Sequence, residues 1–507
     1  MTILRLSLVG GSIALVMLVS GGGAGASAPR FTVDCGAGAN LQTAIKAHQG
    51  SNAALVVDGV CKGTFSIGRA ITLQAGSGGA TLDGQGAGTT LTIHSGRVTV
   101  VGLVITGGSG LRGGGVNNSG QLTLSNASVR GNSTEGFGGG IDNLGTLTVS
   151  ASTVSGNSAA GVLGGGIFNA GSLTVTASTI GGQLAADGNS AGYGGGIVSF
   201  GALSIDGSHV IGNSSTGPGG GIYSGGTLTL ESSSVNDNVA AGNGGGIVLA
   251  SAGKTSATDS TISGNTSATG GGLYLSSTAA TLTGTTISGN SSTGDGGGIA
   301  DVGGESPGLS LSNCIVSGNT SQQGNGGGIV NEAFNGDSSI VLTGTTVADN
   351  TAPGPDVQGG GIANDSVGRH AATVTLASST LRLNRAGNGF GGNVANGALT
   401  SGTTAGSTVS LDGSGVVYGQ ALWGGGIYNN GHYAQATLDV GAGSSVTQNL
   451  AFTQQGGGGI YNPTGGTVII SPDATVSSNS PDDEADVPAP SSTPPRAGRG
   501  RGGPGGR

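Results

Sequence analysis

Charge and aromatic rings are both scarce in this sequence. Asp, Glu, Lys and Arg make up 8% of the 507 residues, and Phe, Tyr and Trp only 3%, with Trp423 the sole tryptophan. With a net charge of −9 and no basic stripe along the main body, nucleic acid is not an expected partner there. Proline is low, at 13 residues, and glycine follows no strict Gly-X-Y period, which excludes collagen. Long apolar runs are missing after the first twenty residues, so no later segment has the ~20 residues that a membrane span needs. Disorder is excluded as well, because Ile, Leu and Val recur in short runs throughout.

What the chain has in abundance is glycine, 113 residues of it. Thirteen clusters, usually three glycines followed by Ile, Val or Leu, end at 115, 140, 166, 196, 221, 246, 272, 298, 328, 361, 392, 426 and 459. The step of 25–34 residues marks a repeat array whose units bury their apolar faces on one another. Residues 138–166 show the plan. Short segments around Ile141, Leu147–Val149 and Thr153–Ser155 alternate with period two, which is strand spacing. Gly, Asn, Ser and Ala punctuate them as turns require. Three strands cannot close a sheet alone, but stacked coils pair each strand with its equivalents above and below. The expected fold is all-β, a right-handed parallel β-helix of about three strands per coil; about sixteen coils at ~4.8 Å give a rod of roughly 75 Å.

Equivalent positions then form ladders. Ile141, Ile167, Ile197, Ile222, Ile247 and Ile299 point inward on one wall, Leu147, Leu173, Leu203 and Leu228 on a second, and Val154, Ile180, Val235, Ile262, Ile287 and Val316 on a third. Asn132, Asn157, Asn213, Asn265, Asn290, Asn319 and Asn350 recur at one turn, where side-chain amides can bond coil to coil. They read as structural. Cys314 takes the inward place of Ser152, Ser260 and Thr285, as a small buried thiol.

Four regions follow. Residues 1–28 read as an export signal, with Arg5, the apolar stretch Ile13–Val19 and the small residues Ala24-Gly25-Ala26. Residues 29–112 form an N-terminal cap and the first coils, 113–479 the repeat β-helix, and 480–507 a disordered tail rich in Pro/Ser and then Arg/Gly. Export fits a disulfide between Cys35 and Cys61, which are close in sequence. The expected location is extracellular or at a cell surface.

The glycine–isoleucine and Gly-Asn repeats resemble those of right-handed parallel β-helix proteins of the pectin-lyase-like superfamily, in particular polymorphic outer-membrane-protein passengers. Asn40–Lys46 is similar to the short capping helix of such solenoids, and Ala80–Gly84 and Gly102–Gly108 to their opening coils. The resemblance covers residues 31–479 and implies fold more than function, since this architecture carries lyases, hydrolases, adhesins and spacers.

Chemistry is sparse along the rod. Residues 131–368 hold 15 acidic residues and one cation, Lys254, whereas elimination on an acidic polysaccharide needs cations at the scissile bond. No metal site is expected; scattered carboxylates such as Asp295 and Asp301 read as solvated surface charge and offer calcium a weak site at most. The candidates for catalysis are Asp365, Arg369, His370, Arg385 and His432, where coils lengthen. Trp423, Tyr428, Tyr433 and Tyr461 are candidates for sugar binding, Tyr428 and Tyr461 on the expectation that the row after each isoleucine faces outward. Three functions follow: a monomeric, non-catalytic adhesin or interaction rod for polysaccharide or cell-surface protein; a polysaccharide lyase or hydrolase with its site at 360–435; and a polysaccharide-binding module without turnover.

Overall fold

The computed structural model describes residues 28–250, 253–303, 308–398, 401–463 and 465–485. The expected export signal therefore lies almost wholly outside the described residues, as do Arg496, Arg499, Arg501 and Arg507 of the expected tail. The chain winds as a right-handed parallel β-solenoid. Sheet 1 has 31 strands, sheet 2 has 16 and sheet 3 has 12.

One coil shows how the residues make the shape. Thr146–Ser150 and Thr153–Ser155 lie in sheet 1, Ser158–Leu163 in sheet 3 and Ile167–Asn169 in sheet 2. Sheet 1 takes two strands per coil because the chain bends between them at a left-handed residue, such as Ala151 (φ 47°). Each strand pairs in parallel and in register with the next coil: Leu147 with Leu173, Val154 with Ile180, Ile167 with Ile197. These side chains are fully buried or nearly so, and one apolar column runs from Val33 to Ile460. The aliphatic ladders expected from the spacing are all present.

The glycine clusters form the corner from sheet 3 to sheet 2. Gly138 takes the left-handed conformation (φ 68°), which a side chain would strain. A Cβ on Gly139 would sit 2.4 Å from the Gly165 carbonyl oxygen, and one on Gly140 2.6 Å from that of Gly166. One glycine turns the chain, and the other two let neighbouring coils touch backbone to backbone.

Both ends are informative. The helix α1 (Leu41–His48) begins at Asn40, whose side chain accepts from the Thr43 amide at 2.9 Å. Leu41 and Ile45 close the N-terminal end of the core. Cys35 and Cys61 are joined by a disulfide. At the other end the coil pattern runs past Asn479, the expected limit. Asp483 Oδ1 accepts from the Asn479 amide (2.9 Å) and Nδ2 (3.0 Å), and Glu484–Ala485 pairs with Ile460–Tyr461. Asp483 thus terminates the asparagine ladder, and residues 480–485 of the expected loose tail continue the coil.

Candidate functional site

The recurrent polar residues are consumed by the fold. Asn157 Oδ1 accepts from Asn132 N and Nδ2, both at 3.0 Å, while its Nδ2 donates to Asn189 Oδ1 (3.0 Å) and to the Val129 carbonyl (2.9 Å). The same pattern takes in Asn189, Asn238, Asn384, Asn393, Asn449 and Asn479, which interrupted spacing hides in the sequence. A second inward ladder went unread: Asn118 to Asn143 to Asn169 in sheet 2, resuming as Asn331, Asn364, Asn396, Asn429 and Asn462. Cys314 is buried where expected, its Sγ contacting the Leu282 and Ser312 carbonyls at 3.4 Å, and burial lifts its pKa.

The five catalytic candidates are distributed along the coil. Asp365 is the penultimate residue of a sheet 2 strand (Ile362–Ser366), 1% exposed, with no hydrogen-bond partner on either oxygen. Its register neighbour is Glu332, and burial together with that neighbour holds its carboxyl well above the usual range. Arg369 and His370 occupy the following turn, where His370 Nδ1 is 3.9 Å from Asp337 Oδ1. His432 lies in the equivalent turn two coils on, against the Tyr433 ring at 4.5 Å. Arg385 opens a sheet 3 strand (Arg385–Phe390) and lies over the Phe452 ring at 6.0 Å. No ion pair among the described residues joins any two of the five.

Three of the four sugar-binding candidates do assemble. Trp423 packs on Tyr461 with centroids 5.2 Å apart, Tyr428 stacks on Tyr461 at 5.8 Å, and Phe390 covers Tyr428 at 4.8 Å. Tyr433 lies close enough to Tyr428 to act on its ionisation, whose pKa is raised chiefly by burial. The expectation of an outward row needs correction in one respect. Tyr428 is 5% exposed and Tyr461 fully buried, because the residues just before the glycine cluster one coil earlier, Phe390 and Trp423, lean over them. Tetrad faces are thus spent on each other, and Trp423 and Phe390, both half-buried, form the accessible rim. A similar group, Phe137, Phe168, Tyr193, Phe200 and Tyr223, lies across the outer face of sheet 2 nearer the N-terminus, with Phe200 and Tyr193 exposed.

Buried carboxylates were the main surprise. Asp301, expected on the surface, points inward at 1% exposure, and desolvation raises its pKa to about 7 against an opposing hydrogen bond with Ser338. Asp142 is buried on the outer corner, raised to about 6 by desolvation, with the Arg112 guanidinium 3.6 Å away pulling it back. The period-two pattern carries the signal: Asp301 falls on an inward position of its strand. No group of three metal-ligating side chains gathers among the described residues. The fold therefore defines the class, a single-chain parallel β-solenoid. Compared with protein-family models, curated proteins and solved structures, the chain matches none.

Proposed function

We propose that this protein is an exported interaction rod, extracellular or on a cell surface, that binds a partner without turning it over. The observation that carries this reading is the pair of aromatic clusters on the outer side of sheet 2 of an otherwise polar, weakly charged shaft. Phe200 and Tyr193 are 49% and 43% exposed, and half-exposed rings on a rigid frame bind a partner with little ordering cost. The frame itself is held by ladders that engage its inward asparagines in coil-to-coil hydrogen bonds. Membership of the pectin-lyase-like superfamily belongs to the same proposal, on the motifs given above.

A second reading, a polysaccharide-binding module, is favoured by the Phe390–Tyr428–Trp423–Tyr461 cluster, whose open rim suits the apolar face of a sugar ring. One experiment tests both. The purified protein is incubated with a panel of insoluble polysaccharides, and bound protein and soluble products are measured. Retention without product is expected; release of sugar products sinks the rod reading. Retention unchanged in Trp423→Ala sinks the second.

A further inference from the structure

Two neighbouring depressions lie on the corner where sheet 2 turns into sheet 1, at the N-terminal end of the rod. The first, about 520 Å³, sits between α1 and the first coils and is lined by Gln42, Lys46, Gln49, Ser66 and His94. The second, about 590 Å³, follows directly in the chain and is lined by Ser95, Gly96, Arg97, Gly120, Gln121 and Gly145. Stacked glycines make its floor. A Cβ on Gly120 would meet the Gly96 carbonyl oxygen at 2.9 Å, and one on Gly145 the Gly120 oxygen at 2.1 Å. The glycines raise no side chain from that floor, and the two depressions adjoin where His94 is followed by Ser95; together they are called the trough.

Its chemistry has one sign. Lys46, His94 and Arg97 are exposed in the lining, Arg69 is exposed beside Gly50 on the same corner, and neither depression has an Asp or Glu in its lining. Lys46, Arg69 and Arg97 make no ion pair with a described residue. The sequence around them is biased in the same way. Residues 29–130 hold seven Lys/Arg against three Asp/Glu, a formal +4, whereas residues 131–368 stand at −14. His94 is the only ring in the lining, so nothing there stacks on a run of bases. The side chains beside the cations carry hydroxyls and amides, which pair with sugar hydroxyls.

We propose that this trough binds a linear glycan bearing oxyanions, carboxylate or phosphate, and that the rod engages it at its N-terminal coils. The cap cations attract such a chain, and the acidic shaft repels it from the remaining length, within a Debye length of ~10 Å at 0.1 M salt. The place of engagement thus follows from the charge distribution. The inference rests on the interaction-rod reading and names its partner.

The test uses the full chain on immobilised hyaluronan (carboxylate), immobilised dextran phosphate (phosphate) and neutral dextran. The variants are Lys46→Ser/Arg69→Ser/Arg97→Ser in the trough and Arg496→Ser/Arg499→Ser/Arg501→Ser in the tail. The wild type should be retained on at least one anionic matrix at about 50 mM salt and released at about 0.5 M. The trough variant should bind about tenfold more weakly, the tail variant like wild type. Which matrix retains the protein identifies the oxyanion. Should the triple variant lose its circular-dichroism signature, Arg97→Gln alone, expected at about threefold weaker, takes its place. Retention on neither anionic matrix, equal retention on neutral dextran, an unaffected trough variant or an equal loss in the tail variant overturns the proposal. Shortened polymer in the eluate counts against the rod reading alone and leaves the comparison of variants standing.

Discussion

Asp301→Asn is expected to stabilise the rod above neutral pH while changing little near pH 4. Asp301 stands in the inward row that Asn331, Asn364, Asn396 and Asn429 continue. Its carboxyl moves from the ordinary 3.8 to about 7 because burial penalises the charge, the Ser338 hydrogen bond opposing. A raised folded pKa means the unfolded chain gives up its proton near pH 4 and the native chain only near pH 7. The stabilisation is therefore complete below pH 4 and is lost as pH rises through 7. About three units at about 1.4 kcal/mol each put the loss at about 4 kcal/mol by pH 8. Asparagine carries no charge to bury, and its amide can donate to Ser338, which itself donates to Asn331 Oδ1 at 2.7 Å. Denaturant unfolding across this pH range measures the difference. Amide exchange over Ile299–Val302 and Ile329–Ala333 adds local resolution, since a repeat array can open in part. Parallel pH curves for the two proteins, or a weaker variant at pH 8, would refute the reasoning.

Other perturbations have equally definite outcomes. Gly139→Ala places a methyl against the Gly165 backbone and should cost about 3 kcal/mol or more, seen as a lower midpoint in denaturant. Asn265→Leu leaves the Asn238 Nδ2 and amide, which now donate to Asn265 Oδ1, without an acceptor, and should cost about 2–4 kcal/mol by the same assay. Cys35→Ser/Cys61→Ser opens a 26-residue separation and should weaken the cap by about 3 kcal/mol, read as faster proteolysis of the N-terminal coils.

Fold was legible because its causes are local and repeated. Glycine clusters fix the corner, period-two alternation fixes which side chains enter the core, and each coil restates the answer. The Asn132–Asn350 row could be read from Gly-Asn, but Asn238 follows Asp237 and Asn189 sits after an insertion, so both escaped. Site residues were legible only as residue types. Alternation correctly sends Tyr428 and Tyr461 away from the core, yet it says nothing of Phe390 and Trp423 closing over them. Sequence distance also concealed the trough: Lys46, Arg69 and Arg97 lie on three levels of one corner and share no motif. Asp365 looked like an acid for catalysis, and nothing local announces that its strand position is sealed.

Because Gly221 is followed by isoleucine, as Gly246 is, excising residues 222–246 would rejoin Gly221 to Ile247 and give each end a partner of the same type, Asn213 meeting Asn265 in place of Asn238 and Ile197 meeting Ile247 in place of Ile222. Reach is thereby decoupled from stability per level. Lineages could shorten or extend such a molecule in quanta of ~4.8 Å, tuning the gap it spans while keeping the same tip.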